Sequence, residues 1–260
     1  MAERVGRARS NGQARSVGLG RRPGIGIKSE ARGFLATREW YEDRFGRFRV
    51  GYNLNTAIGQ GNTRVTLLQL ALAYGALANG GILYKPQLVE SIREPDGTLI
   101  EEFAPVINRR IDITDEHLAL IQSGLNGVVN QQGGTAYDAR IEGGVDIAGK
   151  TGTAEIAPGT PRRDVDTRRA WYFNRSHAWF AGYAPVDDPE VAIVVLVEHG
   201  GPGGRTAAPI AIRILQDYLG GRPTTASLEP STATRPTLRE DRRVPHLRDA
   251  LRAGAPRGRR

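Results

Sequence analysis

The 260-residue sequence predicts an α+β fold, and two observations support this prediction. Apolar residues recur at helical spacing in "NTRVTLLQLALAYGALANGG", in the stretch after Thr114, and in "APIAIRILQDYLGG" near the end. Beyond Lys150, β-branched and aromatic residues dominate "HAWFAGYAP" and "VAIVVLVEHG", which predicts two strands. The chain therefore combines several helices with a group of strands that precedes the last helix.

The first third of the chain carries a single clear helix signal. Residues 1–17 are basic, polar and poor in apolar side chains, so we expect them to be disordered. No convincing helix pattern precedes about residue 60. Thr66 and Gln69 then form a T-x-x-Q capping box, and a glycine pair beginning at Gly80 ends the run. Apolar residues cover most of this helix's circumference, which predicts a central, buried helix.

The remaining elements follow in order. A hairpin is predicted around the turn Pro95–Gly97, where two β-rich stretches meet. A second helix is predicted from Thr114 to about Val129, with acidic residues in its first turn. After the strands and an amphipathic closing helix, residues 221–260 are dominated by Arg, Pro, Thr and Ser. We expect this tail to be disordered and the folded domain to occupy residues 18–220.

Positive charge is concentrated at the two ends of the chain. The formal net charge is +8, of which residues 1–38 carry +7 and residues 222–260 carry +6, so the middle carries −5. Such ends could contact the phosphates of nucleic acid or anionic lipid, but we interpret them as solvated tails and expect no nucleic-acid partner. The chain has no cysteine, which excludes a disulfide framework, a thiol nucleophile and a Cys-based metal site.

The stretch "VDIAGKTGTAEI" contains Lys150, one of three lysines among 36 basic residues, and has two incompatible interpretations. Residues 144–151 match the phosphate-loop pattern G-x-x-x-x-G-K-[ST], which works only between a strand and a following helix. The preceding "AYDARIEGGVD" is not a buried strand, and Pro158 and Pro161 oppose a helix downstream. A nucleotide site is therefore the weaker interpretation.

The alternative interpretation is a strand edge that binds an acyl substrate. Such a site needs a cation for the substrate carboxylate, hydroxyls that hydrogen-bond it, and a residue without a side chain where substrate lies against the backbone. Lys150, Thr151 and Gly152 would supply these in order. Thr153 would add a hydroxyl and a backbone N–H. These residues alone also fit an ordinary surface strand, so the flanking sequence decides.

Four blocks of flanking sequence carry a family resemblance. They are "LNTAIGQGNTRVTLLQLALAYGALANGG", "GGTAYDARI", "AGKTGTAE" and "HAWFAGYAPVDDPEVAIVVLVEHGG", in that order. Together they closely resemble the transpeptidase domain of class B penicillin-binding proteins, particularly the elongation-type peptidoglycan D,D-transpeptidases of rod-shaped bacteria. The resemblance covers about Gly18 to Leu219. It implies an antiparallel sheet flanked by helices, as in serine β-lactamases, and acyl transfer from D-alanyl-D-alanine stem peptides without a metal or organic cofactor.

The resemblance also implies a role for each residue of the motif. Lys150 would hold the terminal carboxylate of the substrate and tune neighbouring proton transfers. Thr151 and Thr153 would hydrogen-bond that carboxylate, or the one on a β-lactam, while Gly152 lies against the substrate. The Thr153 N–H would form half of an oxyanion hole.

The nucleophile of the family is not found in this sequence. The family uses a serine in Ser-x-x-Lys and a second motif, Ser-x-Asn. No serine here has a lysine three residues later or an asparagine two residues later. Ser176 and His177 are adjacent, and strand neighbours point to opposite faces, so they make a poor catalytic pair. We therefore expect a domain incomplete at its N-terminal side that does not catalyse transpeptidation alone.

An incomplete domain has consequences for partners and location. The predicted sheet would have an open edge, which another polypeptide could complete by supplying the missing half-domain. The expected ligands are a peptidoglycan stem peptide or a β-lactam, and the rival hypothesis is a non-catalytic interaction protein that uses the remnant fold or the basic tails. Family members are anchored in the inner membrane with a periplasmic domain. This sequence has neither a secretory signal nor an apolar run of about 18 residues, so a cytoplasmic location is one expectation and the location is otherwise left open.

Overall fold

The computed structural model describes residues 7–156 and 174–220, with side chains from residue 10 onward. The predicted C-terminal tail, the two prolines after Ile156 and residues 1–6 lie outside the described residues. The helices are α1 (Arg7–Ser16), α2 (Arg38–Phe45), α3 (Val50–Ala57), α4 (Leu67–Ala78), α5 (Asp115–Asn130) and α6 (Gly203–Leu219). The strands are β1 (Ile82–Lys85), β2 (Ser91–Arg93), β3 (Leu99–Glu102), β4 (Val106–Arg110), β5 (Ala148–Ala154), β6 (His177–Ala184) and β7 (Val191–Val197).

A three-stranded antiparallel sheet with the order β5-β6-β7 forms the centre of the fold. Side chains alternate between the two faces of the sheet, so each face has its own core. On one face, Phe180 packs with Ile212 and Leu215 of α6. On the other face, Tyr183 packs with Leu125 of α5 and Tyr74 of α4. The sheet is therefore covered by helices on both faces, which confirms the predicted α+β class.

Helix α4 begins at the capping box that the sequence predicts. The Thr66 hydroxyl accepts a hydrogen bond from the Gln69 backbone N–H, and the Gln69 side chain accepts one from the Thr66 N–H. The prediction that this helix is central and buried is only partly right. Gln69, Ala73 and Ala76 are buried, whereas Leu67 is 43% exposed. The helix contacts the sheet along one side, so its other apolar residues are only partly covered.

Helix α1 corrects the prediction of disorder for residues 7–16 of the N-terminal segment. The structure places a helix at Arg7–Ser16. Its Asn11 side chain is buried and donates a hydrogen bond to the Ala36 carbonyl at 2.9 Å. The Arg15 carbonyl in turn accepts a hydrogen bond from Arg109 at 3.3 Å. Contacts with distant parts of the chain hold this segment, and such contacts leave no apolar period in the sequence.

Helices α2 and α3 correct the prediction that no helix precedes about residue 60. They pack through an aromatic cluster in which the Tyr41 and Tyr52 rings stack with centroids 4.1 Å apart. Phe45 and Phe48 join the same cluster. The Thr37 hydroxyl caps α2 by accepting from the Trp40 N–H at 3.2 Å. Each helix has eight residues, which is too short for a helical period to be distinctive.

The other predicted elements are confirmed. Strands β2 and β3 pair as an antiparallel hairpin around the predicted turn, where Asp96 accepts from the Thr98 N–H and Gly97 has a φ of 92°. Helix α5 starts after the N-cap Thr114. A further antiparallel pair, β1 with β4, was not predicted. One of its strands precedes the hairpin and the other follows it, and both are too short for a distinctive alternation of apolar residues.

Candidate functional site

Lys150, Thr151, Gly152 and Thr153 lie consecutively in β5, at one edge of the three-stranded sheet. Among the described residues, β5 pairs with β6 alone, so no strand pairs with its other edge. Alternation along the strand places Lys150 on the α5 face and both threonines on the α6 face. All four predicted site residues thus border one edge, with side chains that approach it from both faces of the sheet.

This placement argues against the phosphate-loop interpretation. Gly149, Lys150 and Thr151 belong to the continuous strand β5, paired residue by residue with β6. A phosphate loop instead wraps its backbone N–H groups around the anion and leads into a helix. The described residues after Thr151 continue the strand to Ala154. Lys150 is therefore a residue of an edge strand and does not belong to a phosphate loop.

The Lys150 side chain is exposed and turns around the edge of its strand. Its Nζ donates a hydrogen bond to the Thr151 carbonyl at 2.8 Å. On this side a cleft of about 410 Å³ separates Lys150 from α5, and its floor is formed by small residues that include Ser123, Gly124 and Gly127. The ammonium group consequently lies where an anion could reach it from solvent.

The two threonines border a second cleft on the α6 face, with a volume of about 560 Å³. The Thr151 hydroxyl lies 2.7 Å from the Thr135 hydroxyl. The Thr153 hydroxyl accepts a hydrogen bond from the Gly203 N–H, at the start of α6, at 3.3 Å. Each hydroxyl already has a protein partner, and each hydroxyl oxygen retains further hydrogen-bonding capacity for a ligand. Thr135 was missed by sequence reasoning, although its block "GGTAYDARI" contributed to the resemblance.

Glycines permit the close approach of α6 to β5. A Cβ on Gly203 would lie 2.3 Å from the Gly152 carbonyl oxygen, and this distance is too short for any residue with a side chain. A Cβ on Gly152 would lie 3.1 Å from Cβ of Trp179, its cross-strand neighbour. The absence of a side chain at position 152 is therefore explained by packing within the protein, in addition to the predicted contact with substrate.

Gln60 reaches the same strand edge from the loop that follows α3. Its Nε2 donates to the Thr153 carbonyl at 3.1 Å, and its Oε1 accepts from the Glu155 N–H at 3.3 Å. Gly59 and Gly61 flank it, with φ values of 78° and 95°. Sequence reasoning did not identify Gln60. The Gly-Gln-Gly triplet was the available signal, but more than 90 residues separate it from its partners.

The histidine considered as an alternative catalytic base is engaged in backbone contacts. His177 is the first residue of β6, and its Nδ1 accepts a hydrogen bond from the His199 N–H at 3.0 Å. The two imidazole rings are 4.9 Å apart. Ser176 precedes the strand. This arrangement supports a structural role for His177.

Two tyrosines lie behind the α5 face of the site. Burial raises the pKa of Tyr74 to about 12 and also raises the pKa of Tyr183. Both phenols therefore stay protonated at neutral pH. They contribute to the apolar support of the strand and do not act as bases.

Comparison with known proteins decides the family. The sequence model of the penicillin binding protein transpeptidase domain family matches residues 1–216. This chain belongs to that family. The resemblance to elongation-type transpeptidases and the expected fold are thereby confirmed.

Curated relatives of the transpeptidase family include peptidoglycan D,D-transpeptidase MrdA of Haemophilus influenzae. It is 32% identical over 203 residues, which cover 76% of this chain and 30% of the relative. Peptidoglycan D,D-transpeptidase PbpA of Mycolicibacterium smegmatis is 38% identical over 167 residues, covering 60% of this chain and 29% of the relative. The chain thus spans about 30% of the length of these curated relatives.

Solved structures show the same fold. Pseudomonas aeruginosa PBP2 in complex with WCK 5153 is 29% identical, with a TM-score of 0.67 over 88% of this chain and 46% of that one. PBP2 of Helicobacter pylori in complex with MreC is 28% identical, with a TM-score of 0.66 over 85% of this chain and 37% of that one. Within residues 7–156 and 174–220, no helix is both long and apolar enough to cross a membrane.

Proposed function

We propose that this chain provides the Lys-Thr-Gly-Thr wall of a peptidoglycan D,D-transpeptidase site. Its ligand is the carboxylate end of a stem peptide that terminates in D-alanyl-D-alanine, or a β-lactam. The observation that carries the proposal is the position of Lys150–Thr153 on an edge strand that borders two clefts. The domain family and the names of the relatives support the substrate class.

Each group on the edge has a chemical role in this proposal. Lys150 attracts the ligand carboxylate, because its ammonium group is exposed and its neighbours on α5 are small. The Thr151 and Thr153 hydroxyls complete the hydrogen bonds to that carboxylate. The Thr153 N–H stabilises negative charge that develops on the carbonyl oxygen during acyl transfer. Gly152 allows the ligand to approach the backbone.

Binding and acylation are separate steps in this proposal. Acyl transfer in the family passes through an acyl-serine, and the present sequence has no serine followed by lysine at the required spacing. We therefore infer that the chain as given binds its ligand reversibly and that the attacking serine comes from another polypeptide segment. Without the nucleophile, binding groups alone sustain only residual catalysis.

The edge at β7 supports a role for such a segment. Among the described residues, β7 pairs with β6 alone, so its outer backbone groups are open to a further strand. On α6, Ile210, Ile214 and Tyr218 are 44%, 47% and 70% exposed, at the spacing of one helix face. A polypeptide that supplies the missing half-domain would add a strand to β7 and cover apolar surface. Sedimentation velocity should show concentration-dependent association.

The second candidate function is non-catalytic binding of a partner through the same surfaces or through the basic ends. The outer edge of β7, which pairs with no further strand among the described residues, favours it. Binding through the arginine-rich ends would weaken steeply with salt, since phosphate contacts release counterions. The cations that line the two clefts beside β5 in the described part of the chain include Lys150 and Arg205, so binding there would depend on salt less steeply than binding through the arginine-rich ends.

Labelling with a fluorescent penicillin tests the proposal. The purified chain is incubated with the probe, with and without prior boiling, and covalent product is read on a denaturing gel while reversible binding is read by anisotropy. We expect reversible binding that a D-alanyl-D-alanine peptide displaces, and no covalent product. Covalent labelling that prior boiling abolishes would reveal a folded nucleophile and overturn the proposed division of roles. Absence of reversible binding by a folded chain would overturn the ligand assignment.

A further inference from the structure

The side-chain amide of Gln60 occupies backbone positions on the outer edge of β5. It bonds the Thr153 carbonyl through Nε2 and the Glu155 N–H through Oε1. The backbone N–H and C=O groups of residues 153 and 155 point away from β6, because alternate residues of an antiparallel strand direct these groups to the same side. Gln60 therefore pairs with the edge of β5 that does not pair with β6.

A primary carboxamide offers an N–H donor and a C=O acceptor on the same side, as one residue of a strand does with its own N–H and C=O. The Gln60 amide, which accepts from Glu155 and donates to Thr153, occupies two backbone groups with which an added strand would otherwise pair. The loop conformation that delivers it depends on Gly59 and Gly61, whose positive φ values are unfavourable for other residues. Gln60 thus acts as a one-residue strand on β5.

A competing ligand can displace the two hydrogen bonds of the Gln60 amide. Both hydrogen bonds are exposed to solvent, and their lengths of 3.1 and 3.3 Å lie near and just beyond the upper limit of the usual range. Exposed hydrogen bonds of this kind contribute little net free energy, because water replaces them readily. A peptide that offers the same groups in a continuous strand can therefore compete with Gln60.

The proposed function fixes the direction in which such a peptide runs. Its C-terminal carboxylate lies at Lys150 and Thr151, so its preceding residues extend towards Thr153 and Glu155, antiparallel to β5. At about 3.3 Å per residue, Glu155 lies about 13 Å beyond Thr151. Thr153, whose carbonyl accepts from Gln60, lies only about 7 Å beyond Thr151, so a ligand of one residue ends before Gln60, whereas a pentapeptide must cross it.

Resting on the proposed function, we propose that Gln60 is a specificity-determining residue that limits how far a peptide pairs with the edge of β5. Short ligands bind beside it without hindrance. Longer stem peptides gain their last backbone hydrogen bonds only by displacing the Gln60 amide from Thr153 and Glu155. The affinity gained per added residue is consequently smaller than an open strand edge would give.

The test compares two ligands with three forms of the full chain. N-acetyl-D-alanine and a pentapeptide ending in D-alanyl-D-alanine are titrated into wild type, Gln60→Ala and the control Gln13→Ala, with binding followed by NMR. Gln13 is exposed on α1, which contributes nothing to the lining of either cleft. We expect Gln60→Ala to bind the pentapeptide about fivefold more tightly, from the loss of two competing hydrogen bonds, and N-acetyl-D-alanine unchanged. Gln60→Asn, whose side chain is too short to reach both groups, should also bind the pentapeptide more tightly than wild type.

Direct exchange of the Glu155 amide hydrogen adds a readout that needs no ligand. It should be faster in Gln60→Ala and Gln60→Asn than in wild type. Equal affinities for the pentapeptide in wild type and both variants, while N-acetyl-D-alanine binds all of them, would overturn the role of Gln60 alone. If neither ligand binds any form, the proposed function falls and this inference falls with it.

Discussion

The hydroxyl groups of Thr135 and Thr151 lie 2.7 Å apart and connect the loop after α5 to the candidate binding strand. The contact joins two residues that sequence reasoning treated differently, since only Thr151 was predicted to belong to the site. It fixes the orientation of the Thr151 side chain on the α6 face of β5.

Removing either hydroxyl should remove the same hydrogen bond. We expect Thr135→Val and Thr151→Val each to lower the free energy of unfolding by about 0.5–1 kcal/mol, because the contact is partly exposed. The double variant should cost about as much as one single variant, since neighbours in one interaction are not additive. Urea denaturation of the four proteins measures this, and strictly additive costs would show that the hydroxyls do not interact.

Gly203 allows α6 to start against β5, so a side chain there should separate the two elements. The Cβ of Gly203→Ala would lie 2.3 Å from the Gly152 carbonyl oxygen. We expect a loss of about 2–4 kcal/mol in the free energy of unfolding, together with weaker ligand binding. Gly75→Ala on α4 is the matched control, because its Cβ would meet nothing within 4 Å. It should stabilise the protein by up to about 1 kcal/mol through helix propensity, and equal effects of the two changes would contradict the packing described.

Gln69 does more than complete the capping box of α4. Its Nε2 also donates to the carbonyls of Arg21 and Arg32, at 2.7 and 2.9 Å, and its side chain is buried. Gln69→Leu should therefore cost about 2–3 kcal/mol, because it leaves several backbone groups without partners. Thr66→Ala, which removes only the cap hydroxyl, should cost about 1 kcal/mol. Chemical denaturation compares the two, and a cost for Gln69→Leu no larger than for Thr66→Ala would argue against the wider role.

Tyr74 should make the stability of the protein depend on pH in the alkaline range. Burial raises its pKa from an ordinary 10.0 to about 12 in the folded protein, so the folded state holds this proton more tightly than the unfolded state. The resulting stabilisation is complete below pH 10 and is lost as pH rises towards 12. Between pH 9.5 and 11.5 the free energy of unfolding should fall by about 1–2 kcal/mol less in Tyr74→Phe than in wild type. Identical pH profiles for the two proteins would show that Tyr74 titrates normally.

The sequence predicted the parts of the fold that local patterns encode. The capping box of Thr66 and Gln69, the turn at Gly97 and the strands beyond Lys150 depend on near neighbours, and the structure contains all of them. The candidate strand was also found, because its motif is contiguous. Long-range contacts account for what was missed.

Helices α1 to α3 illustrate this limit. An aromatic cluster holds α2 and α3, while α1 is fixed by a buried Asn11 that bonds Ala36, 25 residues away. Gln60 and Thr135 were missed as site residues for the same reason. Neither belongs to the Lys-Thr-Gly motif, and only the folded chain brings their side chains to β5.

The central claim is that the Lys150 ammonium group on the edge of β5 holds a ligand carboxylate. Its most direct test is the affinity of N-acetyl-D-alanyl-D-alanine for wild type, Lys150→Ala and Lys28→Ala, measured by NMR titration at one ionic strength. Lys28 is an exposed lysine in the N-terminal segment and lines neither cleft, so it serves as the matched control. We predict roughly tenfold weaker binding for Lys150→Ala, from the loss of a charge-assisted hydrogen bond, and wild-type binding for Lys28→Ala. Equal affinity of Lys150→Ala and wild type would contradict the account.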